Sequence, residues 1–172
     1  EFSIPGMIYG AAFSWNTQIP DFEEINRQIS EMEYGDSTGR LVGVLAKTQA
    51  LNGFTWETAV RFKELKTGAA PEYEEDHRQY IQGHMEALEG VDDKNRRLEE
   101  VTGELYGLLP HMDSRNRPAV KAFVVAVEGI GLFNELGKII AERDYGLKYG
   151  EKPDSWELAE RLEGWLYHYK EL

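Results

Sequence analysis

Hydrophobic and polar positions along this chain alternate with a helical period almost from end to end, and the exception stands at its head. Gly6-Met-Ile-Tyr-Gly-Ala-Ala-Phe-Ser-Trp15 is apolar without a period. A short apolar run of this kind predicts a strand buried on both faces, as in a parallel sheet covered on two sides. One strand cannot satisfy its own backbone donors and acceptors, and no later segment offers a partner. The expectation is therefore an all-α fold, a helical bundle of about six to seven helices preceded by one orphan β-strand. The domain division that goes with it is 1–20, the remnant of the last strand of an upstream sheet or barrel, and 21–172, a C-terminal α-helical domain.

The helices carry start and stop signals. Asp21 with Glu24 forms a capping-box pattern before Ile25, Ile29 and Met32, ending near Gly35. Ser37 is the expected cap of a second helix with Leu41, Val44 and Leu45, and Thr55 of a third running from Trp56 to Gly68. Pro71 suits the first turn of a fourth, whose acidic start at Glu72, Glu74, Glu75 and Asp76 complements the helix dipole and which Gly90 ends. Asp92 opens a fifth, with Leu98, Val101, Leu105 and Leu108 in register before Pro110. Ser114 and Pro118 open the most apolar helix, which reaches Ile140 and belongs at the centre of the bundle. Gly129, Gly131 and Gly137 within it each cost about 1 kcal/mol relative to Ala, which points to close helix approach or a bend. Ser155 is the expected cap of the last helix, with Trp156, Leu158, Leu162, Trp165 and Tyr169.

At 172 residues and 41% hydrophobic, the chain can bury one sizeable core. A net charge of -12 and a pI near 4.8 disfavour nucleic acid and anionic membrane as partners, because both would be repelled. The acids are spread along the whole chain and read as solvated helix faces. The absence of cysteine excludes disulfides, zinc–thiolate sites and thiol catalysis.

Few motifs carry chemistry. His77 and His84 share a helix face, and Glu74 with His77 gives a single Glu-x-x-His, whereas a carboxylate-bridged di-metal bundle needs two. No cofactor or metal is expected. Gly35-Asp-Ser-Thr-Gly39 resembles a phosphate loop superficially, but it lacks the lysine and follows a helix, so a helix–helix turn is the reading. Trp56, Trp156, Trp165, Tyr167 and Tyr169 are candidates for core, for a partner surface or for stacking on sugar. No catalytic residue is singled out.

The ending Gly10-Ala-Ala-Phe-Ser-Trp15-Asn16 resembles the final barrel strand of family 20 β-N-acetylhexosaminidases, whose last strand ends in a tryptophan that packs on the sugar. The run Ile29 to Gly43, with Met32-Glu-Tyr-Gly-Asp36 and Gly39-Arg-Leu-Val-Gly43, is similar to the helical C-terminal region of bacterial members. The resemblance implies that Trp15 and Asn16 stand at the C-terminal end of a barrel strand and bind substrate, an indole face matching the apolar face of a pyranose. It also implies an upstream catalytic barrel of the same protein as partner, an amino-sugar substrate reached through that parent, and a homodimer surface on the helices. The catalytic Asp-Glu pair of that family is absent from this chain, and Thr17 stands where many members carry a glutamate. The implied role is thus non-catalytic, bracing the barrel. The alternatives are an independent helical protein-interaction module and the helical tail of a family 84 N-acetylglucosaminidase.

Overall fold

A computed structural model describes residues 3–15 and 21–172. The expected all-α character is what is found: α1 Ser3–Trp15, α2 Phe22–Met32, α3 Leu41–Ala46, α4 Trp56–Thr67, α5 Glu74–Met85, α6 Val91–Leu108, α7 Arg117–Tyr145 and α8 Ser155–Lys170. Short 3₁₀ turns extend α3 and α5 and lead into α5. Among the described residues there is no sheet, only one isolated bridge between Asp36 and Met112.

The orphan strand is the correction. Residues 3–15 form helix α1, and the reason lies in the backbone accounting that made a lone strand suspect. With no neighbouring strands, a helix is the structure that pairs the segment's N–H and C=O groups internally. Pro5 falls in the first turn, where its missing N–H is no loss, and Met7, Ala11 and Ala12 are good helix formers. α1 lies on α2 through Tyr9 and Phe13, whose rings stand 5.6 Å and 4.9 Å from that of Phe22. The Tyr9 hydroxyl donates to Asn26 Oδ1, and partial burial pushes that phenol's pKa up.

The chain divides into two compact units, Glu1–Gln49 with Val101–Val124, and Ala50–Glu100 with Val125–Leu172. In the first, Ile29, Tyr34, Leu41, Val44, Leu105, Val120 and Phe123 are buried. The turn at its heart is organised by Asp36, which is fully buried yet accepts four hydrogen bonds: from Thr38 N and Thr38 Oγ1 through Oδ1, and from Arg40 N and Leu41 N through Oδ2. Burial alone would raise its pKa, but these donors hold it below the ordinary value. Gly35 and Gly39 flank it at φ 62° and 67°, a left-handed backbone that glycine adopts without strain. A Cβ at Gly35 would also meet Asp113, and one at Gly39 would meet Arg27. The Gly-Asp-x-x-Gly signature is therefore the helix–helix turn expected of it. Asp36, not Ser37, supplies the cap; the Ser37 hydroxyl donates to the His111 carbonyl.

In the second unit Phe54, Ile81, Met85, Leu88, Val91, Ile140 and Ala141 form the main cluster, with Leu132, Ile139 and Leu158 beside it. Thr55 caps α4 by accepting from Thr58 N, and Gly68 ends the helix at φ 65°. Asp154 rather than Ser155 caps α8, accepting from Trp156 N and Glu157 N. Gly137 lies under Phe54 and Gly129 under the Trp165 indole, while Gly131 has only Leu98 at an ordinary distance. Asn134 is the polar pin of this core. Its Oδ1 accepts from Gly53 N and Phe54 N, and its Nδ2 donates to the Leu51 carbonyl and to Asn95 Oδ1.

Candidate functional site

The two substrate-binding residues implied by the resemblance fall at the edge of what the structure describes. Trp15 is the last residue of α1, its side chain outside the described residues, and Asn16 lies outside them altogether. What α1 does present is an uncovered apolar surface. It carries no charged residue, none of its described side chains is buried, and Met7 is 66% exposed. Gly6 and Gly10 have open space where a side chain would stand.

A second feature lies within the helical region proper, between α4 and α5. Helical spacing puts Trp56, Glu57, Val60, Arg61 and Glu64 on one face of α4, and Tyr73 and His77, four apart, face them across the turn that Gly68 and Pro71 make. Together they line a cleft of about 520 Å³. Its walls are aromatic and wet: Trp56 is 65% exposed and Tyr73 53%. His77 is instead 6% exposed. Its Nε2 stands 2.9 Å from Glu64 Oε2, an ion-pair distance, yet neither ring nitrogen makes a hydrogen bond of acceptable direction. A buried imidazole in that condition is unusual, because an unmet polar group away from water costs about 1–3 kcal/mol.

Charge around the cleft is mixed. Arg61 pairs with Glu57 at 2.8 Å and lies 4.1 Å over the Tyr80 ring, which in turn stacks on His84. The Arg61 guanidinium, first among several partners, holds the Glu57 carboxyl below its ordinary pKa. Trp56 stands perpendicular to Phe133 at 5.7 Å; Phe133 meets Trp165 in the same way, and Trp165 stacks on Tyr169. The Trp165 Nε1 donates to the Val125 carbonyl, so this part of the aromatic series is anchored. Trp156, Tyr167 and Tyr169 are exposed along α8.

The two histidines on the face of the incomplete Glu-x-x-His pattern part company. His77 turns to Glu64, while His84 Nδ1 sits 2.7 Å from the Tyr80 carbonyl of its own helix. Among the described residues no three His, Asp or Glu side chains converge as a metal-holding group. An ion pair is also present: the buried Lys138, 7% exposed, is held by the exposed Asp92 carboxylate. No helix of the described residues is long and apolar enough to cross a membrane. Comparison with known proteins adds no further constraint: no family model, no curated protein and no solved structure matches this chain.

Proposed function

We propose that this chain is the non-catalytic helical region of a glycoside hydrolase that removes terminal β-linked N-acetylhexosamine, bracing the catalytic barrel. The observation that carries the reading is the Ser3–Trp15 segment. It is charge-free, uncovered on much of its surface, and ends in the Trp15 of the family 20-like motif. An apolar surface of that kind is stabilised by a body that buries it, at about 25 cal/mol per Å² of apolar area. The reading requires the segment to pair as a strand when barrel strands adjoin it, and to fall back on α2 as a helix when they do not. The run from Glu33 to Gly43 fits a scaffolding role, since its Asp36 turn is built to hold two helices.

The test is hydrolysis of a chromogenic N-acetylglucosaminide by the chain extended upstream, beside the chain as it stands. Activity in the extended protein alone, lost on Trp15→Ala, is the expected outcome. A well-folded extended protein with no activity refutes the reading. A second reading, an independent helical interaction module, is favoured by the exposed Trp156, Tyr167 and Tyr169 of α8; it gains if α1 keeps its place on α2 in the extended protein.

A further inference from the structure

We propose that the cleft between α4 and α5 is a binding subsite for a neutral saccharide, with Trp56 and Tyr73 as the stacking surfaces and Glu64 and Arg61 as the polar contacts. The inference goes beyond the barrel-bracing role and does not rest on it. Three observations combine. The first is a cavity of about 520 Å³, within the range of small-molecule sites. The second is the exposure of two large aromatics at its mouth, Trp56 at 65% and Tyr73 at 53%, although the same unit buries Phe54 completely. The third is the pair of charged groups on the α4 wall, Glu64, which stands 2.9 Å from the buried His77 Nε2, and Arg61, which pairs with Glu57.

The ligand class follows from the lining. A hydrocarbon would strip water from the Glu64 carboxylate and the Arg61 guanidinium without replacing its hydrogen bonds. An anion would meet Glu57 and Glu64. A cation would meet Arg61, whose charge already answers Glu57. A pyranose satisfies the set as it stands. Its apolar ring face lies on an indole or phenol, and its hydroxyls, each donor and acceptor, give to Glu64 and take from Arg61. The perpendicular contact of Trp56 with Phe133 holds the indole in place, so less freedom is lost on binding.

The experiment titrates the chain with cellobiose, maltose and N,N′-diacetylchitobiose, following the indole N–H resonances by two-dimensional NMR and the affinity by calorimetry. At least one disaccharide should shift the Trp56 resonance with millimolar affinity. Trp56→Ala and Tyr73→Ala should each weaken it about tenfold, as expected for the loss of one aromatic contact of about 1.4 kcal/mol. Both side chains are largely exposed, so the variants fold, and Trp156→Ala on α8 should bind as the parent does. Glu64→Gln should weaken binding without changing the far-UV circular dichroism. No shift with any disaccharide, undiminished binding by Trp56→Ala, or preferential binding of tetramethylammonium as a cationic probe would each overturn the proposal. The assay reads the helical chain alone, so its failure is distinct from failure of the hydrolase reading, which is scored by activity of the extended protein.

Discussion

Two glycines of α7, six residues apart, should respond to the same substitution with opposite sign. A Cβ built on Gly137 would stand 2.7 Å from Phe54 Cβ, 2.8 Å from its Cγ and 2.9 Å from its Cδ2, all closer than carbon atoms pack. Phe54 is fully buried and its N–H donates to Asn134 on the same helix, so the ring cannot swing out and its backbone cannot draw back. Overpacking of that kind costs about 1–3 kcal/mol, against about 1 kcal/mol gained by removing a glycine from a helix interior. Gly137→Ala should therefore destabilise by up to about 2 kcal/mol. At Gly131 the nearest atom to the added methyl is Leu98 Cδ1 at 3.9 Å, an ordinary contact, so Gly131→Ala should keep its helix gain of up to about 1 kcal/mol. The separation between the variants is about 1–3 kcal/mol, and each kcal/mol moves the melting temperature of a chain this size by about 2–4 °C. Urea unfolding followed by far-UV circular dichroism, with thermal melts beside it, measures both. Equal stability of the two variants, or Gly137→Ala the more stable, would refute the close approach of α7 to Phe54.

Asp36 gives a pH prediction: its pKa is lower folded than unfolded, so its stabilising share is present above the unfolded value of about 3.9 and lost as pH falls through the folded one. Asp36→Asn should cost about 1–2 kcal/mol at neutral pH and show a smaller acid loss than the parent, checked by urea midpoints at neutral pH and near pH 3; an unchanged acid profile would contradict the charge-assisted cap. Phe22→Ala should remove the ring on which Tyr9 and Phe13 rest, two aromatic contacts of about 0.5–1.5 kcal/mol each, and raise amide hydrogen exchange across residues 6–13 while leaving α4 and α5 unchanged. Unaltered exchange in α1 would show that it is held by something other than α2.

How far the sequence reached is best judged residue by residue. Caps and terminators of local origin were legible: Asp21, Thr55, Gly68 and Gly90 do what their positions suggest. Adjacent candidates were harder to separate. Ser37 and Ser155 looked like caps, but the carboxylates one residue earlier took the work, because an ionised acceptor bonds the first N–H groups more strongly than a hydroxyl. The capping box at α2 is only half formed, since Glu24 turns to Arg27 and Gln28. The head of the chain was misread because a short apolar run carries no period to distinguish strand from helix. In the candidate site, Trp56 is legible as a stacking surface, and His77 only as part of an incomplete Glu-x-x-His pattern. Their meeting was not legible, because it depends on how α5 folds back over α4. Asn134 and Lys138 do leave a signal: polar residues four apart on one face of an otherwise apolar helix, tolerable there only with hydrogen-bonding or charged partners.

The head segment and the cleft pull the functional argument in different directions, and the physical difference between them decides how each should be weighed. α1 is thirteen residues long, near the lower limit for a helix stable by itself in water, and its support comes from a few aromatic contacts with a half-exposed Phe22. Its helical state therefore rests on few contacts, and the hydrolase reading requires a sheet edge offering a full ladder of hydrogen bonds to overturn it. The cleft has no such freedom. α4 is capped at both ends and α5 buries Ile81 and Met85 in the core, so Trp56, Glu64 and His77 keep their spacing whatever stands upstream. α1 is a segment held by few contacts, whereas α4 and α5 present a surface fixed by the core.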